Sequence, residues 1–178
     1  GRVDRAEELH ADAISLLALS EDQDGPGTLL AKVRFAEFYL EEEAIGDAKA
    51  IFREIVDAEN PKEKPDYLLL ARAQWGLAQT YYIDNDWENA GRMGYMARVT
   101  LQRLYGIGSM EAAKPLPMIT EAAIRLGNYQ YAKLFLDELT AMHNDGKFER
   151  GPVIKLQKMF SDQYRRQQEE DLVQARQR

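Results

Sequence analysis

Histidine and cysteine, two residue types that often catalyse reactions or bind metals, are scarce or absent in this chain. Histidine occurs only at His10 and His143, and neither has a second potential ligand at the spacing of a helical or zinc-type site. We expect His10 to pack against its neighbours. Glu41, Glu42 and Glu43 form a carboxylate run, but a general acid needs a partner and a desolvated pocket, so we expect a solvated helix end. Cysteine is absent, which excludes disulfides, thiolate catalysis and sulfur-ligated metals.

One glycine-containing segment, YGIGSMEAAK, has some features of a phosphate-binding loop. It lacks the Gly-Lys-Ser/Thr ending of such loops and follows no predicted strand. We interpret its glycines as a helix stop. No Ser/His/Asp or lysine-centred arrangement can be assembled from the sequence, so we predict no enzymatic activity, no metal and no cofactor.

Composition and charge narrow the classes of partner. The chain has 178 residues, of which 45% are hydrophobic and 30% charged, as expected for a soluble domain with a substantial core. The net charge of −7 argues against nucleic acid, which requires a surplus of Lys and Arg on one face. No apolar run approaches the roughly 18 to 20 residues needed to cross a bilayer, so we expect no direct membrane insertion. The compartment stays open between cytoplasm and periplasm.

Apolar residues recur every three or four positions over long stretches, which predicts an all-α chain. The spacing of Leu29, Val33 and Ala36 is one example. Segments rich in Gly, Pro, Asn or Asp separate these stretches at SEDQDGPG, NPKEKPD, YGIGS and NDGKFERGP. Thr28 follows the first break and Asp66 ends the second, and we expect both to cap helix N-termini.

A repeat with a fixed period runs through the helical pattern. The phrases EAIGDAKAIFREI, DNDWENAGRMGYMA and RLGNYQYAKLFLDEL align, and their alanines Ala48, Ala90 and Ala132 are equally spaced. One further step of the same length towards the N-terminus reaches Ala6. A small residue at this position would let two helices cross closely. We therefore predict units of two helices, called helix A and helix B, with Ala6 on a helix B whose helix A precedes the sequence.

These units resemble tetratricopeptide repeats, in which an apolar and a small residue of helix A interlock with an aromatic after the turn and a small residue of helix B. The resemblance rests on Leu77, Ala78, Tyr81, Trp87, Ala90 and Ala97, and on the segment GNYQYA in the third unit. It covers residues 1 to about 143, and the period of about 42 residues resembles the long-repeat branch, such as kinesin light chains. The resemblance implies an α-solenoid, a right-handed superhelix of stacked antiparallel helix pairs. A HEAT-like solenoid is the alternative, but the joint recurrence of the turn aromatic and the helix B alanine favours tetratricopeptide repeats.

Two features depart from the family pattern. Gly94 stands where helix B usually carries a large residue. Pro115 and Pro117 predict that the third helix A starts late or bends, because proline cannot donate the backbone hydrogen bond of a helix interior.

We interpret residues 1–178 as one helical-repeat domain, a fragment of a longer protein. The expected parts are a helix B of a truncated repeat (1–24), three repeats (28–60, 66–105 and 109–143) and a C-terminal capping helix (152–175). The capping helix carries an apolar stripe at Val153, Leu156, Phe160 and Tyr164 and ends in a polar segment.

The resemblance implies a concave wall built mainly from the A helices. The repeat register predicts three rows on it: Leu30, Val33, Glu37, Leu40 and Glu41; Arg72, Trp75, Gln79, Tyr82 and Ile83; and Lys114, Pro117, Glu121, Ile124 and Arg125. As partner-binding residues we select Trp75, Tyr82, Arg72, Gln79, Ile83, Leu40, Glu37, Arg125 and Lys114. As structural repeat positions we select Ala6, Ala48, Ala90, Ala132, Trp87 and Tyr129.

An aromatic strip beside Arg72, Lys114 and Arg125 favours an amphipathic helix or an extended peptide with acidic residues as the ligand. We therefore predict a non-catalytic scaffold that binds another protein or a peptide. The alternatives are that Tyr82 and Ile83 only fill the space between repeats, and that the chain is a ligand- or peptide-sensing domain of a regulator. Self-association through the N-terminal face is a further expectation, since a helix B without its helix A exposes apolar surface.

Overall fold

The computed structural model describes residues 2–177, and within that range the chain folds into nine α-helices and no strand. The helices are α1 Arg2–Glu21, α2 Pro26–Glu41, α3 Ile45–Glu59, α4 Tyr67–Ile83, α5 Trp87–Tyr105, α6 Met110–Ala113, α7 Leu116–Arg125, α8 Tyr129–Asn144 and α9 Arg150–Gln177. The all-α prediction is therefore confirmed. Helices α2 and α3, α4 and α5, and α7 and α8 form the three A–B pairs, and each pair packs on the next.

The turn between helix A and helix B recurs with the same period as the alanines. One backbone hydrogen bond closes each turn, from Ala44 N to Tyr39 O, Asp86 N to Tyr81 O and Asn128 N to Ala123 O, at 2.9, 2.9 and 2.8 Å. The residue before each donor has a positive φ: Glu43, Asn85 and Gly127. The same backbone conformation at three equivalent positions fixes the register of the three helix pairs.

Of the two residues predicted to cap helix N-termini, one does so. Asp66 caps α4, and its carboxylate accepts hydrogen bonds from Leu68 N and Leu69 N. The prediction for Thr28 is wrong, because α2 begins at Pro26 with Gly25 as its N-cap. Proline suits the first helical position, where its missing N–H is not needed.

The third helix A is interrupted, as Pro115 and Pro117 predict. The short helix α6 ends at Ala113 and α7 begins at Leu116. Before them, Gly106 and Gly108 adopt φ values of 92° and 80°, a left-handed region that glycine enters without strain. The interpretation of YGIGS as a helix stop is confirmed.

Close helix packing explains the small residues of the repeat. Ala48, Ala90 and Ala132 are fully buried, whereas Ala6 is half-buried. Gly94 departs from the family pattern because α7 approaches α5 there: a Cβ on Gly94 would lie 3.1 Å from Cγ1 of Ile119. The missing side chain of α5 is thus replaced by one from the next helix A.

Two apolar clusters form the core. The first lies among α2, α3, α4 and α5 around Leu29 and Phe52, and the second joins α6, α7, α8 and α9 around Leu116 and Leu139. Met118 of α7 packs against the first cluster and links the two.

The terminal helix α9 extends beyond the predicted range of 152–175 at both ends. Val153 and Leu156 are buried, Phe160 is half-buried and Tyr164 is exposed. The predicted apolar stripe is therefore buried at its first two positions, and Phe160 packs at the edge of the second cluster.

The residues first considered for chemistry have structural surroundings. The His10 ring stacks on Phe35 with a centroid distance of 5.1 Å, and Nδ1 of His143 lies 2.9 Å from the carbonyl oxygen of Phe148. Glu41, Glu42 and Glu43 are exposed. Within residues 2–177 no three acidic, histidine or cysteine side chains come together as metal ligands, and none of the helices there combines the length and apolar composition of a membrane span.

Candidate peptide-binding surface

A column of cationic side chains follows the A-helix face. Arg72 and Lys114 are one repeat period apart, and Lys155 of α9 continues the column at a step that is one residue shorter. A second column, at Glu37, Gln79 and Glu121, lies one repeat earlier in each case, on the preceding helix A. Arg72 forms an ion pair with Glu37, and Lys155 forms one with Glu121. Each pair joins two successive A-type helices.

The pair between α2 and α4 is bidentate. Arg72 donates from Nε to Oε1 of Glu37 at 3.1 Å and from Nη2 to Oε2 at 2.6 Å. Both side chains are part-exposed, so the pair adds about 0 to 1 kcal/mol to stability. It neutralises Arg72 and fixes its position.

Glu121 of α7 is held by donors from three helices. It is 5% exposed. The hydroxyl of Tyr82 donates to its Oε2 at 2.9 Å, Lys155 Nζ donates to the same oxygen at 3.3 Å, and Arg125 donates twice to Oε1 at 3.0 and 2.8 Å. Glu121 therefore ties α4, α7 and α9 together.

These contacts keep Glu121 ionised. Burial alone raises the pKa of a carboxyl group, but hydrogen bonds from Arg125 and Tyr82 and the charge of Lys155 outweigh it and leave the pKa of Glu121 below its ordinary value. The pKa of Tyr82 is raised, first by burial and then by its hydrogen bond to the Glu121 carboxylate. Tyr82 accordingly stays protonated as a donor.

The middle member of the cationic column has no such partner. Lys114 is exposed and makes no ion pair within residues 2–177, since the position that would hold its carboxylate is occupied by the neutral Gln79. A cation is left available where the neighbouring repeats have neutralised theirs.

Two cavities meet at this cation. The α9 cavity, of about 240 Å³, is lined by Trp75, Tyr82, Lys114, Pro117, Met118, Glu121, Pro152, Lys155 and Leu156. The α6 cavity, of about 180 Å³, is lined by Leu68, Ala71, Arg72, Trp75, Leu101, Tyr105, Glu111, Lys114 and Pro115. Trp75 and Lys114 border both, so an aromatic ring and an ammonium group without an ion pair stand between two largely apolar depressions.

The interruption of the third helix A lies beside this space. Helices α2 and α4 pack directly on each other, and so do α7 and α9, whereas α4 and α7 are not among the closely packed pairs of the described chain. Pro115, at the α6–α7 break, lines the α6 cavity.

The selected partner-binding residues divide into two groups. Trp75, Tyr82, Arg72 and Lys114 line the cavities. Glu37, Gln79, Ile83, Leu40 and Arg125 do not. Leu40 packs on the first core cluster, and the Arg125 guanidinium lies 4.3 Å from the centroid of the Trp87 ring. Val33 and Ile124 were also predicted to lie on the concave wall. That prediction is wrong, because both are fully buried in the core.

Two aromatic repeat positions contact neighbouring helices. The Trp87 ring meets Tyr82 edge-on at 5.3 Å. The Tyr129 ring meets Phe160 and Tyr164 of α9 edge-on at 6.0 and 5.3 Å. Each aromatic thus braces the face of an adjacent helix.

The sequence reasoning did not identify Met118, Lys155, Leu156 and Tyr105. The available signal was the register of α9, in which Lys155 continues the column of Arg72 and Lys114. Because α9 was predicted only to cap the last repeat, its side chains were not expected to line a binding cavity.

Comparison with known proteins identifies the fold. No family model and no curated protein matches the sequence. Among solved structures, a Podosopora anserina protein described as a kinesin light chain with nearly identical TPR-like repeats aligns at a TM-score of 0.72 and 14% identity, over 98% of this chain and 83% of that one. A single-residue variant of it aligns at 0.73 and 16%, over 98% of this chain and 85% of that one. The prediction of tetratricopeptide-like repeats is confirmed, and the chain has the fold of a TPR-like helical-repeat protein.

Proposed function

We propose that this chain is a non-catalytic scaffold that binds a segment of another protein at the two cavities beside Trp75 and Lys114. One observation carries the proposal: Lys114 stands without an ion pair between two apolar depressions of the described chain, while the equivalent cations Arg72 and Lys155 are paired to carboxylates. The fold supports the class of function, because stacked helix pairs form extended binding surfaces.

The chemistry of the surface supports one class of ligand. An acidic side chain of a peptide would supply Lys114 with the carboxylate that Gln79 does not. Apolar side chains on either side of it would enter the α9 and α6 cavities and pack on Trp75, since aromatic residues contribute strongly to protein interfaces. The proposed ligand is therefore a peptide segment with an acidic residue flanked by apolar residues.

Selection from a displayed library of random peptides tests this proposal. The chain is expected to enrich peptides with that pattern, and a parallel selection on Lys114→Gln is expected not to enrich them. Lys158→Gln is the matched control, because Lys158 is an exposed lysine of α9 that lines neither cavity. Enriched peptides that bind the wild type, Lys114→Gln and Lys158→Gln equally would place the binding surface elsewhere.

A second function, that of a small-ligand sensor, is supported by a separate cavity of about 460 Å³ between the α3–α4 loop and α5. Gln74 lines it, is almost fully buried, and accepts a hydrogen bond on Oε1 from the Thr100 hydroxyl at 2.9 Å. The size falls within the about 300 to 1,000 Å³ of small-molecule sites. A sensor should become more compact when it binds its ligand. Small-angle X-ray scattering measures the radius of gyration of the chain with and without a bound small molecule. An unchanged radius of gyration would favour the scaffold.

A further inference from the structure

A further cavity lies on the other side of α7 from the surface beside Lys114. This α8 cavity has a volume of about 380 Å³ and is lined by residues of α5, α7 and α8. Helix α7 contributes Ile119 and Ala123 to it, whereas the same helix contributes Met118 and Glu121 to the α9 cavity. At about 100° per residue, these two sets lie on opposite faces of α7. The α8 cavity shares no lining residue with the α9 or α6 cavity.

Aromatic rings and small residues line the α8 cavity. The Phe135 ring lies 6.4 Å from the ring centroids of both Tyr95 and Tyr131. Phe135 is buried, and so are Ala122 and Ala123, whereas Tyr95 and Tyr131 are exposed. The cavity therefore combines a buried apolar floor with aromatic side chains that are open to solvent.

The preceding repeat fills the equivalent place with its own side chains. Three lining residues have a larger or charged equivalent one period earlier: Lys49 for Gly91, Tyr81 for Ala123 and Asp84 for Leu126. Nζ of Lys49 lies 4.3 Å from the centroid of the buried Tyr81 ring and donates to Oδ2 of Asp84 at 2.7 Å. In the third repeat the phenol ring and the ammonium group are absent from these positions, and a cavity is present.

The charges around the α8 cavity favour an uncharged ligand. Glu88 and Arg92 of α5 both line it, so a charged ligand would meet one attractive and one repulsive group. The remaining lining is largely apolar, and burial of an ion there would be costly. A hydroxyl group has a possible partner in Asn128, which lines the cavity and whose side chain makes no capping hydrogen bond.

We propose that the α8 cavity binds a small uncharged aromatic compound, whose ring takes the place that Tyr81 fills in the preceding repeat. The volume lies within the about 300 to 1,000 Å³ of small-molecule sites. A ligand ring packs favourably against Tyr95 and Phe135, because aromatic pairs attract in edge-to-face and offset-stacked arrangements. This site is separate from the peptide surface beside Lys114 and binds its ligand whether or not that surface binds a peptide.

Titration of the isotope-labelled full chain with p-cresol, followed by NMR, tests the proposal. The compound is the side chain of tyrosine, and saturable shifts are expected at Gly91 and Ala123. Ala123→Tyr restores the ring of the preceding repeat and is expected to abolish these shifts. The anion 4-methylbenzoate has a similar shape and is expected to bind at least about tenfold more weakly than p-cresol.

A second variant covers the case that Ala123→Tyr does not fold, which circular dichroism shows. Leu126→Asp changes an exposed residue of the cavity and should weaken p-cresol binding at least about threefold, because it places a charge in an apolar lining. Leu19→Asp is the matched control, since Leu19 is an exposed leucine of α1 that lines none of the cavities described above, and it should bind p-cresol like the wild type.

Four results would overturn the proposal. They are the absence of saturable shifts up to the solubility of p-cresol, unchanged affinity in Leu126→Asp or in a folded Ala123→Tyr, equal affinity for 4-methylbenzoate, and tighter binding of a blocked Gly-Tyr-Gly peptide than of p-cresol. The last result would show that the α8 cavity takes an aromatic side chain of another protein instead of a small molecule.

Discussion

Gly76 on α4 is predicted to be a position where one methyl group destabilises the fold. A Cβ on this residue would lie closer than 3.0 Å to three atoms of the Phe52 ring. Phe52 is fully buried in the first core cluster, so the ring has no free space into which to move. The contact brings α3 directly onto the helix that carries Trp75.

The size of the effect follows from two opposing contributions. Overpacking a core costs about 1 to 3 kcal/mol, and the simultaneous clash with three atoms of a fixed ring favours the upper half of that range. Alanine regains about 1 kcal/mol over glycine in a helix interior. Gly76→Ala should therefore lower the free energy of unfolding by about 1 to 2 kcal/mol.

Thermal and urea unfolding followed by circular dichroism measure this change. Gly46→Ala on α3 is the matched control, because its Cβ would meet no atom within 4 Å and the change should be neutral or stabilising. Phe52→Leu in the Gly76→Ala background should cost less than in the wild type, since the smaller side chain relieves the clash. A Gly76→Ala chain as stable as the wild type would refute the close-packing argument.

Three further outcomes are expected. Ala90→Leu should destabilise by about 1 to 3 kcal/mol in urea unfolding, because Ala90 is fully buried at the helix crossing; an unchanged midpoint would contradict this. Glu43→Gly should raise the melting temperature, because Glu43 has a φ of 61° and a non-glycine residue there is strained by about 1 to 2 kcal/mol; a lower melting temperature would contradict it. Glu121 has a lowered pKa, so its stabilising contribution is present above the unfolded-state pKa and is lost as pH falls through the folded-state value. Stability measured from pH 6 to pH 3 should therefore fall more steeply in the wild type than in Glu121→Gln, and parallel curves would contradict this.

The repeat itself was predictable because its signal is local. A small residue where helices cross and a capping Asp each favour a residue type at a fixed position, as at Ala90 and Asp66. Pro115 likewise predicted the break between α6 and α7, which lies beside the α6 cavity.

The site was only partly predictable because ion pairing depends on the partner as well as on the residue. Arg72, Arg125 and Lys114 look equivalent as cations in the sequence, and only the positions of Glu37 and Glu121 show that the first two are neutralised. The start of α2 was predicted too late in the sequence. Gly25, Pro26 and Thr28 all favour a helix start, and residue propensity alone does not show which of them packing selects.

The register of α9 was missed for a related reason. Its residues follow those of the third helix A at a step that is one residue shorter than the repeat period. A shift of one residue turns a helix by about 100°, so a search at fixed period assigns the wrong face. As a result Lys155 was not expected beside Glu121.

A double-mutant cycle between Lys114 and an acidic peptide tests the central claim most directly. The measurement is the affinity, by isothermal titration calorimetry, of one selected peptide and of its Glu→Gln form for the wild type, Lys114→Gln and Gln79→Glu. We expect Lys114→Gln to weaken the acidic peptide but not its neutral form, and Gln79→Glu to weaken the acidic peptide as well, because the new carboxylate pairs with Lys114. Equal affinities of the acidic peptide for all three chains would contradict the account.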